Sequence, residues 1–147
     1  MRPFVLLCLI SFSMVVSAQI EIVADSLTYC SYNLFRQAGN HYVFLTQADY
    51  EESEIYEENG SDCLPFEVDF DSNILVAFLH NASNCDRRIV ESRLSMVREG
   101  YLIEFCPEPN VCRDGSRPVI AWFVLPKSVQ DSKILVERKP CHVLNPR

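Results

Sequence analysis

Two uninterrupted apolar runs, Ile74-Leu75-Val76-Ala77-Phe78-Leu79 and Val119-Ile120-Ala121-Trp122-Phe123-Val124-Leu125, dominate the pattern of the chain. Runs of this length with no polar position predict central strands covered on both faces. Pro126 ends the second run. In Phe66-Glu67-Val68-Asp69-Phe70 apolar and acidic residues alternate, which predicts a half-buried strand. Residues 87–97 and 101–105 flank Arg98-Glu99-Gly100 and read as a hairpin, with Gly100 supplying the positive φ of a tight turn. Short β-rich stretches at 20–23 and 27–30 predict two short strands or one interrupted strand, and residues 41–45 and 134–137 predict two more. Residues 36–40 read as a turn. Thr46 has the chemistry of an N-cap, and residues 47–56 behind it predict a single helix with acids in its first turns and Asn59-Gly60 as its stop. The expected fold class is therefore α+β, a mainly antiparallel sheet of short strands with one helix.

Composition narrows this picture. The chain has 147 residues, 48% of them apolar, which suits one hydrophobic core. With only 4 Gly and 8 Pro and 22% charged residues, it falls outside the collagen-like, disordered and coiled-coil classes. Residues 1–18 have the layout of a secretory signal peptide: one cation at Arg2, the apolar stretch Phe4-Val5-Leu6-Leu7-Cys8-Leu9-Ile10, and small residues at Val16-Ser17-Ala18. The apolar stretch is shorter than the roughly 20 residues a membrane span needs, so cleavage before Gln19 is expected, with no stable membrane insertion afterwards. Residues 19–147 then form one exported domain, periplasmic or secreted.

Loss of the leader removes Arg2 and leaves 12 Lys and Arg against 20 Asp and Glu, a net charge of −8. Such a chain repels phosphate backbones, so no nucleic-acid partner is expected. It also removes Cys8 and leaves six cysteines, Cys30, Cys63, Cys85, Cys106, Cys112 and Cys141. An even number in an exported chain predicts disulfides, each contributing roughly 2–4 kcal/mol. The hairpin places Cys85 and Cys106 at one open end with Cys112 close by, so Cys85 is expected to pair with Cys112 or Cys106. Cys30, Cys63 and Cys141 share the remaining bonds. There is no C-x-x-C and no second ligand pair at zinc-finger spacing, so neither a metal site nor a redox motif is expected.

The chain carries no recognisable catalytic motif. Asp69-Phe70-Asp71-Ser72-Asn73 matches the start of a calcium loop but has Ile74 where a glycine must turn and His80 where a bidentate Glu is needed, so it reads as an Asx-type turn. His41, His80 and His142 belong to no H-E-x-x-H motif or nucleophile turn. Trp122 lies inside an apolar run and reads as core. No catalytic residue, cofactor or metal is assigned. Asn59-Gly60-Ser61 and Asn81-Ala82-Ser83 fit the N-glycosylation pattern, which is meaningful only in a eukaryotic secretory pathway.

Charge is more informative. Residues 49–71 hold ten acids and no Lys or Arg, half of all the acids in the chain. They form either a solvated face or a functional one, a docking surface for a basic partner or a low-affinity cation site, with Glu51, Glu52, Glu54, Glu57 and Glu58 as the candidate partner-binding residues. The cations gather elsewhere, at Arg87-Arg88, Arg93, Arg98, Lys127, Lys133, Arg138, Lys139 and Arg147, where they balance surface charge or face the acids.

The run over residues 66–79, the hairpin ending Gly100-Tyr101-Leu102-Ile103-Glu104, and Trp122-Phe123-Val124-Leu125-Pro126-Lys127 together resemble the PrcB C-terminal domain family. Phe70, the Ile74-Leu75 pair and Leu125-Pro126-Lys127 carry the resemblance over residues 66–138. The family is named for a bacterial protein that stabilises a protease complex. The resemblance implies an exported, non-enzymatic module that binds or stabilises another exported protein, such as a protease complex. Where a glycine-rich turn is expected after the central strand, this chain has His80-Asn81-Ala82-Ser83-Asn84-Cys85, and no functional residue is carried across. The alternatives are a small secreted hydrolase with a carboxylate or histidine site, and a structural envelope protein.

Overall fold

The two apolar runs form the centre of the molecule. In a computed structural model, which describes residues 20–29, 38–83, 88–108 and 116–144, they become the paired strands β3 (Asn73–Ser83) and β6 (Ser116–Pro126). Around them lie β1 (Ala24–Tyr29), β2 (His41–Phe44), β4 (Ile89–Val97), β5 (Gly100–Pro107) and β7 (Ile134–Arg138), with short helices α1 (Gln47–Glu51), α2 (Glu54–Asn59) and α3 (Cys141–Leu144). The strands form a four-stranded sheet in the order β1-β6-β3-β2 and a three-stranded sheet in the order β4-β5-β7. All pairings are antiparallel except β5 with β7. The α+β, mainly antiparallel expectation is met.

Because β3 and β6 are covered on both sides, side-chain parity decides which layer each residue joins. Leu75, Ala77, Leu79, Ile120, Trp122 and Val124 pack with Phe44, Tyr50, Ile55 and Cys63 on the helical side. Ile74, Val76, Phe78, Ala121, Phe123 and Leu125 pack with Ile103, Phe105, Val129 and Ile134 against the smaller sheet. The result is three layers: helices, large sheet, small sheet. Trp122 is fully buried, as its setting in the apolar run predicts, and its Nε1 donates to Thr28 Oγ1 at 2.7 Å.

Several local expectations need correction. The expected helix over 47–56 is two helices, because Ser53 closes one and opens the next: its hydroxyl donates to the Tyr50 carbonyl at 2.6 Å and accepts from the Tyr56 N–H at 3.3 Å. Thr46 does cap α1, in a reciprocal box with Asp49. Residues 66–70 pair with no strand. The chain bends at Phe66, yet Phe66, Val68 and Phe70 still pack inward against the helical-side core. Residues 20–23 precede β1 without forming a strand of their own; Val23 contributes a hydrogen bond to the Val124 carbonyl. Of the turn expected at 36–40, residues 36 and 37 lie outside the described residues.

The cysteine reading also changes. Cys106 is bonded to Cys141, with Cα atoms 5.1 Å apart, so Cys85 does not pair with Cys106. The cause is the parallel alignment of β7 on β5, which sets Arg138 opposite Phe105 and brings the chain past both strand ends to the same place. Cys63 is a free, buried thiol and not part of a bridge. Cys30, Cys85 and Cys112 lie outside the described residues, and with them the Cys85–Cys112 alternative.

The β4–β5 hairpin forms as expected, with Val97 opposite Gly100 across a two-residue turn. Gly100 has φ +142°, and a Cβ built there would overlap the Lys133 backbone. Gly100→Ala is expected to lower the unfolding free energy by about 2 kcal/mol, read as a lower urea midpoint at unchanged slope. Replacing Cys106 and Cys141 together by Ser releases a cross-link spanning 35 residues and is expected to cost about 3–4 kcal/mol in the same measurement.

Candidate functional site

The helical layer holds the acidic segment, and it is built to stay there. Thr46 and Asp49 cap α1, Ser53 caps α2, and Ile55 and Tyr50 anchor the two helices into the core. The helices expose Glu51, Glu52, Glu54, Glu57 and Glu58. Beyond them, a 3₁₀ turn over Ser61–Cys63 leads into residues 64–70, which return across the sheet. At the end of this segment the Asp71 N–H donates to Asp69 Oδ1 at 3.0 Å, and Lys127 Nζ donates to the Phe70 carbonyl at 2.7 Å. The Ser72 hydroxyl, with the Asp71 N–H, holds the Asp69 carboxyl below its ordinary range. This is the Asx-type turn expected in place of a calcium loop.

Between α1 and residues 64–68 lies an open groove of about 550 Å³. One wall is Gln47, Tyr50 and Glu51; the other is Leu64, Pro65, Phe66, Glu67 and Val68; Tyr56 and Ser61 also line it. Of the five glutamates singled out in the sequence, only Glu51 lines this groove. Gln47 Nε2 donates to its Oε1 at 2.7 Å, holding the carboxylate at the rim with its second oxygen outside that bond. The second carboxylate of the groove, Glu67, escaped the sequence reading because it was assigned to the outer face of a strand. It has no hydrogen bond or ion pair among the described residues. Its alternation with the inward Phe66 and Val68 was the signal available.

Beneath the groove runs a buried polar thread. Thr28 Oγ1 accepts from Trp122 and lies 3.7 Å from Cys63 Sγ, within hydrogen-bond reach of the thiol. Burial pushes the Cys63 thiol up, partly offset by that hydroxyl, so the thiol is held protonated. Tyr50 is 2% exposed and packs edge-on against Phe44, Tyr56 and Trp122. Its hydroxyl has no hydrogen-bond partner among the described residues. Burial first, then the nearby Cys63 and Tyr56, pushes the phenol up to about 12.

Charge is segregated between layers. Arg88 pairs with Glu108, Arg93 with Glu104, Lys133 with Glu99 and Lys139 with Glu137, all within the small sheet and its connections. These four cations balance local acids there, whereas Lys127 reaches the acidic segment itself, at the Phe70 carbonyl and near Asp69. His80 is buried between Phe78 and Phe105, with ring centroids 5.9 and 5.6 Å away, and is not part of the groove. The His142 side chain lies outside the described residues. Among the described residues no three His, Cys, Asp or Glu side chains converge as a metal-binding group, and no helix is long and apolar enough to cross a membrane. Asn81 is exposed on β3, whereas the Asn59 amide donates to the Ile55 carbonyl at 2.9 Å.

No family model, curated protein or solved structure matches the chain.

The raised phenol has a testable consequence. Protonated Tyr50 supports the fold fully below its ordinary value of 10.0, and this support is lost as pH climbs toward about 12. The unfolding free energy is expected to fall across that window, and Tyr50→Phe to flatten the fall. At neutral pH the same variant removes a buried hydroxyl without a partner and is expected to be as stable as the parent or about 1 kcal/mol more so, by urea unfolding.

Proposed function

We propose that the protein is an exported, non-enzymatic binding module that docks a basic segment of another exported polypeptide on its helical face. One observation carries this reading: the exposed glutamates of the two helices share one layer with a groove that Glu51 and Glu67 line, while Arg88, Arg93, Lys133 and Lys139 on the small sheet and its connections are engaged with acids of their own. A single-sign surface of this kind steers an oppositely charged partner and sets its orientation. The resemblance to the PrcB C-terminal domain family supports the same class of role, with a protease complex as one such partner. The groove lining includes two carboxylates and no histidine, which favours binding over the hydrolase alternative.

Site-specific photo-crosslinking tests the reading. A photoreactive residue at position 58, on the helical layer, is expected to capture one polypeptide from the exported fraction, identified by mass spectrometry as basic. The adduct is expected to disappear when Glu51, Glu52 and Glu57 are changed to Gln. The same probe at position 96, on exposed β4, is the control. Adducts only from position 96, or adducts indifferent to the glutamate changes, overturn the proposal.

A further inference from the structure

We infer that the groove between α1 and residues 64–68 is an anchor pocket for one arginine side chain of the partner. This rests on the docking role proposed above and specifies which chemistry fixes the register of that docking.

The groove's walls carry the rings of Tyr56 and Phe66 and one carboxylate each, Glu51 on the helical wall and Glu67 on the other, and its lining contains no cation. Aromatic faces attract a guanidinium and pack the methylenes that lead to it, and a carboxylate accepts its planar N–H fork in pairs. An ammonium is a more strongly hydrated point charge without that fork, so the pocket selects arginine over lysine. Glu51 is already oriented by Gln47, which reduces the ordering a ligand must impose. Glu67 has no partner among the described residues, and the Tyr50 hydroxyl is buried at a groove-lining residue with its hydrogen bond unmade. The groove therefore sets two carboxylates beside aromatic rings with no cation in its lining, in an acidic field that favours a cation.

The remaining glutamates then have a different role. Glu52, Glu54, Glu57 and Glu58 are exposed and do not line the groove, so they raise the local concentration of a basic segment without fixing its position. Anchor and field are separable by experiment.

The test is an NMR titration of the full exported chain with an end-capped peptide carrying one arginine in a glycine-serine background. Amide shifts are expected within residues 47–68, with citrulline in place of arginine weakening binding at least tenfold and lysine weakening it several-fold. Glu51→Gln with Glu67→Gln is expected to weaken the arginine peptide at least tenfold, and Glu57→Gln with Glu58→Gln, which thins the acidic field alone, to weaken it about two- to threefold. Equal loss in the two double variants overturns the anchor while a charge-based docking face stands, and neutral citrulline binding as well as arginine overturns the anchor and its electrostatic basis together. If no shift occurs but photo-crosslinking at position 58 still captures a basic partner, the pocket assignment fails alone; if both are silent, both proposals fall.

Discussion

The structure depends on burying the β3–β6 pair from both sides. Eleven register positions join these strands, and their middle residues, from Ile74 to Leu79 on one and Val119 to Leu125 on the other, are almost wholly removed from solvent. A strand pair with two apolar faces needs two covers, since either face left open would expose a continuous hydrophobic stripe. The helical layer and the small sheet are those covers. Each is too slight to stand alone: α1 and α2 have five and six residues, below the length at which a helix is stable by itself, and the small sheet buries its inner face against Ile74, Val76, Phe78, Ala121, Phe123 and Leu125 of the strand pair. The groove exists because its covering layer consists of two short helices and a returning segment, which leave a gap that one long helix would have filled.

That central requirement was readable from the chain, and so were features set by near neighbours in sequence. The two apolar runs mark the central strands, Thr46 and Asp49 are three residues apart as a capping box needs, and Gly100 sits where the hairpin must take positive φ. Other features depended on contacts that no local pattern encodes. Ser53 breaks the helical stretch because its hydroxyl serves both neighbouring turns, an outcome that a helix-compatible run of glutamates conceals. Residues 66–70 have the alternation of a strand because they lie on an apolar sheet face, where inward and outward positions must alternate whether or not a strand is paired beside them. Periodicity reports burial; backbone pairing is a separate fact.

The disulfide shows the same limit. A hairpin argument brings Cys85 and Cys106 to one end, but the bond forms with Cys141 because β7 returns parallel to β5, and parallel pairing is a non-local event with no signature in either strand. Glu67 was hidden for a related reason. The acids on the helices drew attention by number, whereas the groove takes one acid from a helix and one from the segment opposite. Density of charge along the chain located the layer and missed the pair.

The polar thread under the groove explains why this layer has a fixed shape. Trp122, Thr28 and Cys63 are linked through one hydroxyl, and Tyr50 lies against Trp122 and close to Cys63. A misplaced Thr28 would leave the indole N–H buried without an acceptor, at a cost of about 1–3 kcal/mol, so β1 and the turn carrying Cys63 are held in register with β6. The thread thus ties the groove floor to the strand pair on which the fold depends. Such a floor gives the groove between Glu51 and Glu67 a shape set by the core and not by its exposed side chains.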